Sequence, residues 1–197
     1  HTPGFGSAAK FVAQAFMGDN LDNAALPGIK INIVMGRHAG FLTAASMLDR
    51  RPPEAGKEDG PHLIYVPEAD FSEEKFLADV ERVYTKLGRC LIAVSEGIHD
   101  ADGNPMMTKL QDEVEKDAHG NVQLSGSGAL GANIASLLNS KLNPVGGKAP
   151  RVRTDTLGYA QRSYPDASPV DQLEARAAAQ AAARCALSGD LDGSIAI

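Results

Sequence analysis

Cysteine is scarce in this 197-residue chain. Cys90 and Cys185 are its only thiols, one in an apolar run and one in an Ala-rich stretch, which excludes a disulfide framework and a cysteine-based metal knuckle. A reducing, cytoplasmic setting is the simpler reading. Positive charge is also short, with 19 Lys and Arg against 25 Asp and Glu and a net charge of −6. That argues against a protein that coats nucleic acid, because displacing phosphate counterions takes an excess of cations. A local cationic pocket remains open. The apolar runs fall far short of the roughly 20 residues a membrane span requires, and no charged n-region followed by an apolar h-region opens the chain. The expectation is a soluble protein with no membrane partner. No internal repeat occurs, and no G-x-S-x-G, P-loop or G-x-G-x-x-G motif, which argues against a hydrolase nucleophile elbow and a self-contained nucleotide cradle.

What is present alternates. Residues 30–34 (KINIV), 62–66 (HLIYV), 90–94 (CLIAV) and 151–157 (RVRTDTL) are short β-rich or apolar runs bounded by Gly, Pro or polar clusters, and the first three read as buried parallel strands. Between them lie helix patterns. The clearest is 73–87, where Phe76, Leu77, Val80, Val83, Tyr84 and Leu87 form one apolar stripe, Ser72 caps, Phe71 staples onto Phe76 and Gly88 stops the helix. Others follow Gly40 (FLTAASMLD), run over about 130–138, and run from Pro169 to Leu187 between Ser168 and Gly189. This predicts an α/β fold, a Rossmann-like parallel sheet with helices on both faces. Residues 50–61 and 98–127 are polar and turn-rich and read as surface connections, the second with a short hairpin at His119-Gly120-Asn121. The chain begins at His1, without a Met, in a turn running into a helix. That suggests a cut piece, with a processed or trimmed chain as the plain alternative.

Three stretches carry chemistry. Met35-Gly36-Arg37-His38-Ala39-Gly40 lies where a buried strand ends and an apolar helix begins, the place where open α/β sheets bind ligands. Plain turn chemistry is the other reading, and Arg37 adds a two-donor fork suited to phosphate. Val94-Ser95-Glu96-Gly97 ends a second strand. Glu96 can accept from sugar hydroxyls or serve as a helix-capping or solvated acid. The third stretch holds Arg151, Arg153 and Arg162 within twelve residues, around Tyr159. In an acidic chain they suit an anion, or surface salt bridges with the nearby acids. Asp100-Ala101-Asp102-Gly103-Asn104 fails as a calcium loop, because Pro105 takes the turn-glycine position and the bidentate Glu is missing. It reads as a turn. His38 and His99 have no second His or Cys at metal spacing, so no metal site is assigned.

In this order and spacing, TPGFGSAAK, MGRHAGF, SEG and GYAQRS with its following S-P-x-D helix start resemble the phosphofructokinase superfamily over nearly the whole chain. The likeness is nearest to its pyrophosphate-dependent fructose 6-phosphate 1-phosphotransferases. It implies one half of a two-domain fold, with residues 1–165 as the fructose 6-phosphate-binding domain and 166–197 as a helix packing in the phosphoryl-donor domain. By position, Met35, Gly36 and Arg37 match the turn on fructose 6-phosphate, with Arg37 also near the transferred phosphoryl group and hence the catalytic candidate. Glu96 matches the acid on the sugar hydroxyls. Tyr159 and Arg162 match the ends of the 6-phosphate segment, where many ATP-dependent members have His in place of Tyr159. Arg153 matches an arginine that reaches a neighbouring subunit's 6-phosphate. A second such arginine has no counterpart, since that region holds Gly28 and Lys30.

The implied substrates are fructose 6-phosphate and pyrophosphate, with magnesium carried mainly on the donor and by the missing half, in a homo-oligomer when intact. The family's donor loops and the Asp that acts as base precede the position of His1. An ATP-dependent kinase and a non-catalytic sugar-phosphate-binding module are the alternatives.

Overall fold

The structure, a computed structural model, describes residues 4–51, 58–106, 128–142, 149–189 and 192–196. Helix α1 (Phe5–Ala25) leads into β1 (Ile29–Val34), followed by α2 (Phe41–Ala45), β2 (Leu63–Tyr65), α3 (Glu73–Leu87), β3 (Cys90–Ser95), α4 (Ala129–Lys141), β4 (Val152–Thr156) and α5 (Pro169–Ser188). The four strands form one parallel sheet in the order β2-β3-β1-β4. Every expected strand is in it.

Alternation along the central strands builds both faces. Ile29, Ile31 and Ile33 of β1 and Cys90, Ile92 and Val94 of β3 pack on Phe76, Val80 and Val83 of α3 and Leu130, Ile134 and Leu138 of α4. Their neighbours Val34, Leu91 and Ala93 pack on Val12 and Phe16 of α1. Helices therefore cover both faces, as a doubly covered parallel sheet requires. Burial also pushes the Cys90 thiol up to about 12, leaving it a neutral core group.

Helix α3 follows its local chemistry. Ser72 Oγ accepts from Lys75 N at 3.3 Å, the Phe71 and Phe76 rings lie 5.3 Å apart, and Gly88 N closes the last turn on Tyr84 O at 2.8 Å.

Several expectations need correction. β2 is half-buried, because it borders a single strand, β3, among the described residues. α2 stops at Ala45 because Ser46, Met47 and Leu48 bond back three residues, to Thr43, Ala44 and Ala45, and Ser46 Oγ also occupies the Thr43 carbonyl at 2.5 Å. The segments read as surface connections have buried ends. Asp59 is 6% exposed, held by Arg51 and by Asn20, and Ile98 and Met106 enter the core. As expected, Asp100 organises a turn, its Oδ1 accepting from Asp102 N and Asn104 N at 3.0 and 2.8 Å. The hairpin expected at 119–121 lies outside the described residues. No helix among the described residues is long and apolar enough to cross a membrane.

Candidate functional site

The strand order decides which turns can meet. β1 lies between β3 and β4, so the segments leaving their carboxyl ends are adjacent: Glu96 after β3, Met35 to Arg37 after β1, and the 158–162 segment after β4. Glu96 N donates to Val34 O at 2.9 Å and Leu157 N to Ile33 O at 3.0 Å, which extends the ladder one step past the strands on each side. Arg37 and Glu96 thus share one edge of the sheet.

Direct bonds tie the first two turns. Gly36 N donates to Glu96 Oε1 at 3.3 Å, and Ser95 Oγ donates to Gly36 O at 2.6 Å. Gly97 packs against the Arg37 backbone so closely that a Cβ there would overlap the Arg37 carbonyl. Only glycine fits this contact. Glu96 is 6% exposed, and Met35, Gly36 and Arg37 are half-buried. The carboxylate is therefore both a support for the Gly36 amide and an acceptor at the strand edge.

Past β4 the chain makes a 3₁₀ turn over Gly158–Arg162. Gln161 is its buried pin, with Nε2 donating to Gly158 O at 2.9 Å, and it turns the two ends of the segment outward. Tyr159 and Arg162 are exposed, and the guanidinium stands 4.3 Å above the Tyr159 ring centroid. Stacking of this kind fixes the plane of the fork while leaving its N–H groups directed outward. A cavity of about 670 Å³ borders this segment, lined by Ser7, Gln161, Arg162, Asp171 and Gln172 among others.

Arg153 is not brought to this edge. It pairs in register with Lys30 near the amino end of the sheet. There it donates to Leu26 O at 2.7 Å and pairs with Asp22 at 3.4 Å. Of the arginine cluster read from sequence, Arg153 is ion-paired near the amino end of the sheet and Arg162 lies beyond the carboxyl end of β4. Lys30 beside it pairs with Asp155 and, at 3.9 Å, with Asp19.

Sequence reasoning missed four groups. Ser95 and Gln161 pin the turns from within, Glu68 accepts from Gly40 N at 2.7 Å, and Asp171 accepts from Gly6 N, Ser7 N and Ser7 Oγ at 3.3, 2.5 and 2.5 Å. Those donors, Ser7 foremost, hold the Asp171 carboxyl below its ordinary value. A signal existed for Glu68, since it is a carboxylate just past a strand end, as Glu96 is. Asp171 belongs to the S-P-x-D helix start, but nothing local marked its partners, which lie 164 and 165 residues away.

Fold and edge together define an open parallel α/β domain whose candidate ligand groups, a buried carboxylate, a glycine turn with an arginine, and a ring-stacked arginine, gather at the carboxyl ends of adjacent strands. The phosphofructokinase family model matches residues 1–186, and the chain belongs to the phosphofructokinase family. It is 57% identical to the pyrophosphate–fructose 6-phosphate 1-phosphotransferase of Rhodospirillum rubrum, over 100% of this chain and 47% of that protein. It is 36% identical to the protein of the same name from Halomonas elongata, over 96% of this chain and 42% of the relative. The crystal structure of a pyrophosphate-dependent phosphofructokinase from Marinobacter aquaeolei superposes with a TM-score of 0.70 at 28% identity, over 95% of this chain and 40% of that one. The chain thus spans about half the length of the curated relatives it matches.

Proposed function

We propose that this chain supplies the sugar-phosphate half of an enzyme that transfers a phosphoryl group from pyrophosphate to fructose 6-phosphate, giving fructose 1,6-bisphosphate. The observation that carries this reading is the adjacency of three turns, after β3, β1 and β4, tied by the Gly36 to Glu96 bond and continued by the Arg162 and Tyr159 stack. Arg162 and Tyr159 take the 6-phosphate, as the exposed fork over the ring suits a dianion. Glu96 accepts from the sugar hydroxyls, while Met35 and Gly36 form the floor on which the sugar packs. Arg37 lies beside the transferred phosphoryl group and neutralises charge that builds there. Arg153, held by Asp22 and Leu26 at the other end of β4, would serve a neighbouring subunit's 6-phosphate in the homo-oligomer rather than the site of its own chain.

In the reaction the sugar's 1-hydroxyl oxygen bonds to the terminal phosphorus as the bridging P–O bond breaks, phosphate leaves, and the hydroxyl proton passes to a base outside the motifs of this chain. Such transfer is mostly positioning and charge neutralisation, work for arginines and a rigid turn rather than for a nucleophile. Magnesium would neutralise the pyrophosphate oxygens. Among the described residues no group of three or more His, Cys, Asp or Glu is placed to hold a metal, so the described part of this half does not fit as its chelating site.

Residues 166–197 would pack against the half of the enzyme that this chain does not span, a reading supported by the exposure of Val170, Leu173 and Leu187. The complete enzyme is a cytoplasmic homo-oligomer in this reading. The test is a coupled assay on the complete natural protein with fructose 6-phosphate, magnesium and either pyrophosphate or ATP. Turnover with pyrophosphate is expected. Turnover with ATP alone would make it the ATP-dependent kinase, and sugar-phosphate binding with no turnover would make it a binding module.

A further inference from the structure

We propose that Glu68 is a positioning residue of the sugar-phosphate site, acting through the Gly40 amide to hold the turn that carries Arg37. The proposal rests on the functional reading above, and it concerns a side chain that touches no substrate in that reading.

The turn of residues 35–40 leaves β1, yet its far end is fastened at the end of β2, and β3 lies between those two strands. The turn therefore crosses the carboxyl end of β3. It is tied on both sides of the crossing, at Gly36 N by Glu96 Oε1 at 3.3 Å and at Gly40 N by Glu68 Oε1 at 2.7 Å. Arg37 sits between the two ties, over Gly97. The Glu68 bond is the shorter, and a charged acceptor on an amide is the strong kind of hydrogen bond.

Close packing gives a second, independent observation. A Cβ on Gly40 would come within 2.6 Å of both Glu68 Oε2 and Val66 Cβ, so the end of β2 and the end of the turn are in contact as well as bonded. Gly40 opens α2, a five-residue helix with no side-chain cap of its own, and among the described residues Glu68 is the side chain that accepts from its amide. Without Glu68, the far end of the turn would lose the bond at Gly40 N, and Arg37 would be held less firmly. A displacement of that kind costs a positioned reaction far more than it costs the fold.

The experiment compares Glu68→Ala and Glu68→Gln in the complete natural protein, by steady-state kinetics and by hydrogen exchange of the peptide covering residues 35–41 without substrate. Glu68→Ala is expected to lower kcat per folded protein about tenfold, to raise KM for fructose 6-phosphate no more than about threefold, and to speed exchange of that peptide. Glu68→Gln keeps an oxygen acceptor and is expected to restore most of both. A purely structural role would leave kcat per folded protein unchanged and lower apparent kcat only in step with lost folded protein, and that result overturns the proposal. So does unchanged exchange over residues 35–41 in Glu68→Ala. If the wild-type protein turns over no fructose 6-phosphate, the functional reading fails, and the exchange comparison still decides whether Glu68 holds the turn.

Discussion

Helices α1 and α5 have nearly the same length, 21 and 20 residues, and opposite surroundings. α1 lies on the sheet and buries Val12, Ala13, Phe16, Asn20 and Asn23 among others, whereas α5 buries no residue at all. What fixes α5 is its amino end, where Ser168 N donates to Ser7 Oγ at 2.9 Å and Asp171 caps the first turn of α1. A helix draws most of its stability from packing an apolar side, and here Val170, Leu173 and Leu187 are left 59, 70 and 89% exposed. Among the described residues the sheet is packed on both faces, whereas α5 is tied to α1 through its amino end.

The largest expected effect separates the two regions outright. Tested alone beside the complete natural protein, the 197-residue chain is expected to give no turnover in the coupled assay, since orienting the acceptor brings no proximity gain without the second reactant. Turnover near that of the complete protein would break the half-site reading, and a base would have to be sought among Asp155, Asp166 and Asp171. Next comes the edge itself. Arg162→Ala in the complete protein should weaken fructose 6-phosphate binding by about 2–3 kcal/mol, roughly a hundredfold, as for a lost charged hydrogen bond. Titration calorimetry would read it, and an unchanged Kd would return Arg162 to the surface salt-bridge reading.

The anchor of α5 should matter less. Asp171→Ala removes the acceptor shared by Gly6 N, Ser7 N and Ser7 Oγ, at a cost of about 1 kcal/mol, typical of a helix cap. Hydrogen exchange should speed up in the first turns of α1 and α5 and stay unchanged in β1 and β3. Faster exchange across the whole sheet would mean that α5 and the sheet are one cooperative unit.

The smallest effect lies at the amino edge of the sheet. His62 is held neutral, with Nδ1 accepting from Leu91 N at 2.8 Å and Nε2 3.2 Å from Glu58 O. Burial first and the Arg89 charge second lower its pKa. The unfolded chain then takes up the proton first, so stability is complete above about pH 6.5 and declines as pH falls below it. Denaturation midpoints of the chain at pH 7.5 and 5.5 should differ in that direction, and His62→Gln should flatten the difference. An equal slope in the variant would assign the pH response to other groups.

The sheet was legible because its strands are short apolar runs between turn residues, and the alternation of Ile29, Ile31 and Ile33 with Lys30 and Asn32 still leaves β1 apolar enough to read. α1 was less legible. Its sheet-facing side carries Asn20 and Asn23, which blur the apolar period over the helix's second half. The site was legible where a motif falls at a strand's carboxyl end, as Arg37 and Glu96 do. It was not legible where strand parity decides. Arg153 and Arg162 are the same residue type in one run, and only the pairing of β4 with β1 turns Arg153 toward Asp22 while Arg162 lies beyond the strand end. A carboxylate past a strand end, such as Glu68, shows in the sequence, but its partner Gly40, 28 residues away, does not.

The central claim is that the turns after β3, β1 and β4 form one sugar-phosphate site. A crystal structure of the complete natural protein with fructose 6-phosphate tests it most directly. The account predicts the 6-phosphate within hydrogen-bond distance of Arg162, a sugar hydroxyl on Glu96, and the ring packed on Met35 and Gly36. A sugar phosphate bound away from both Arg162 and Glu96 would contradict it.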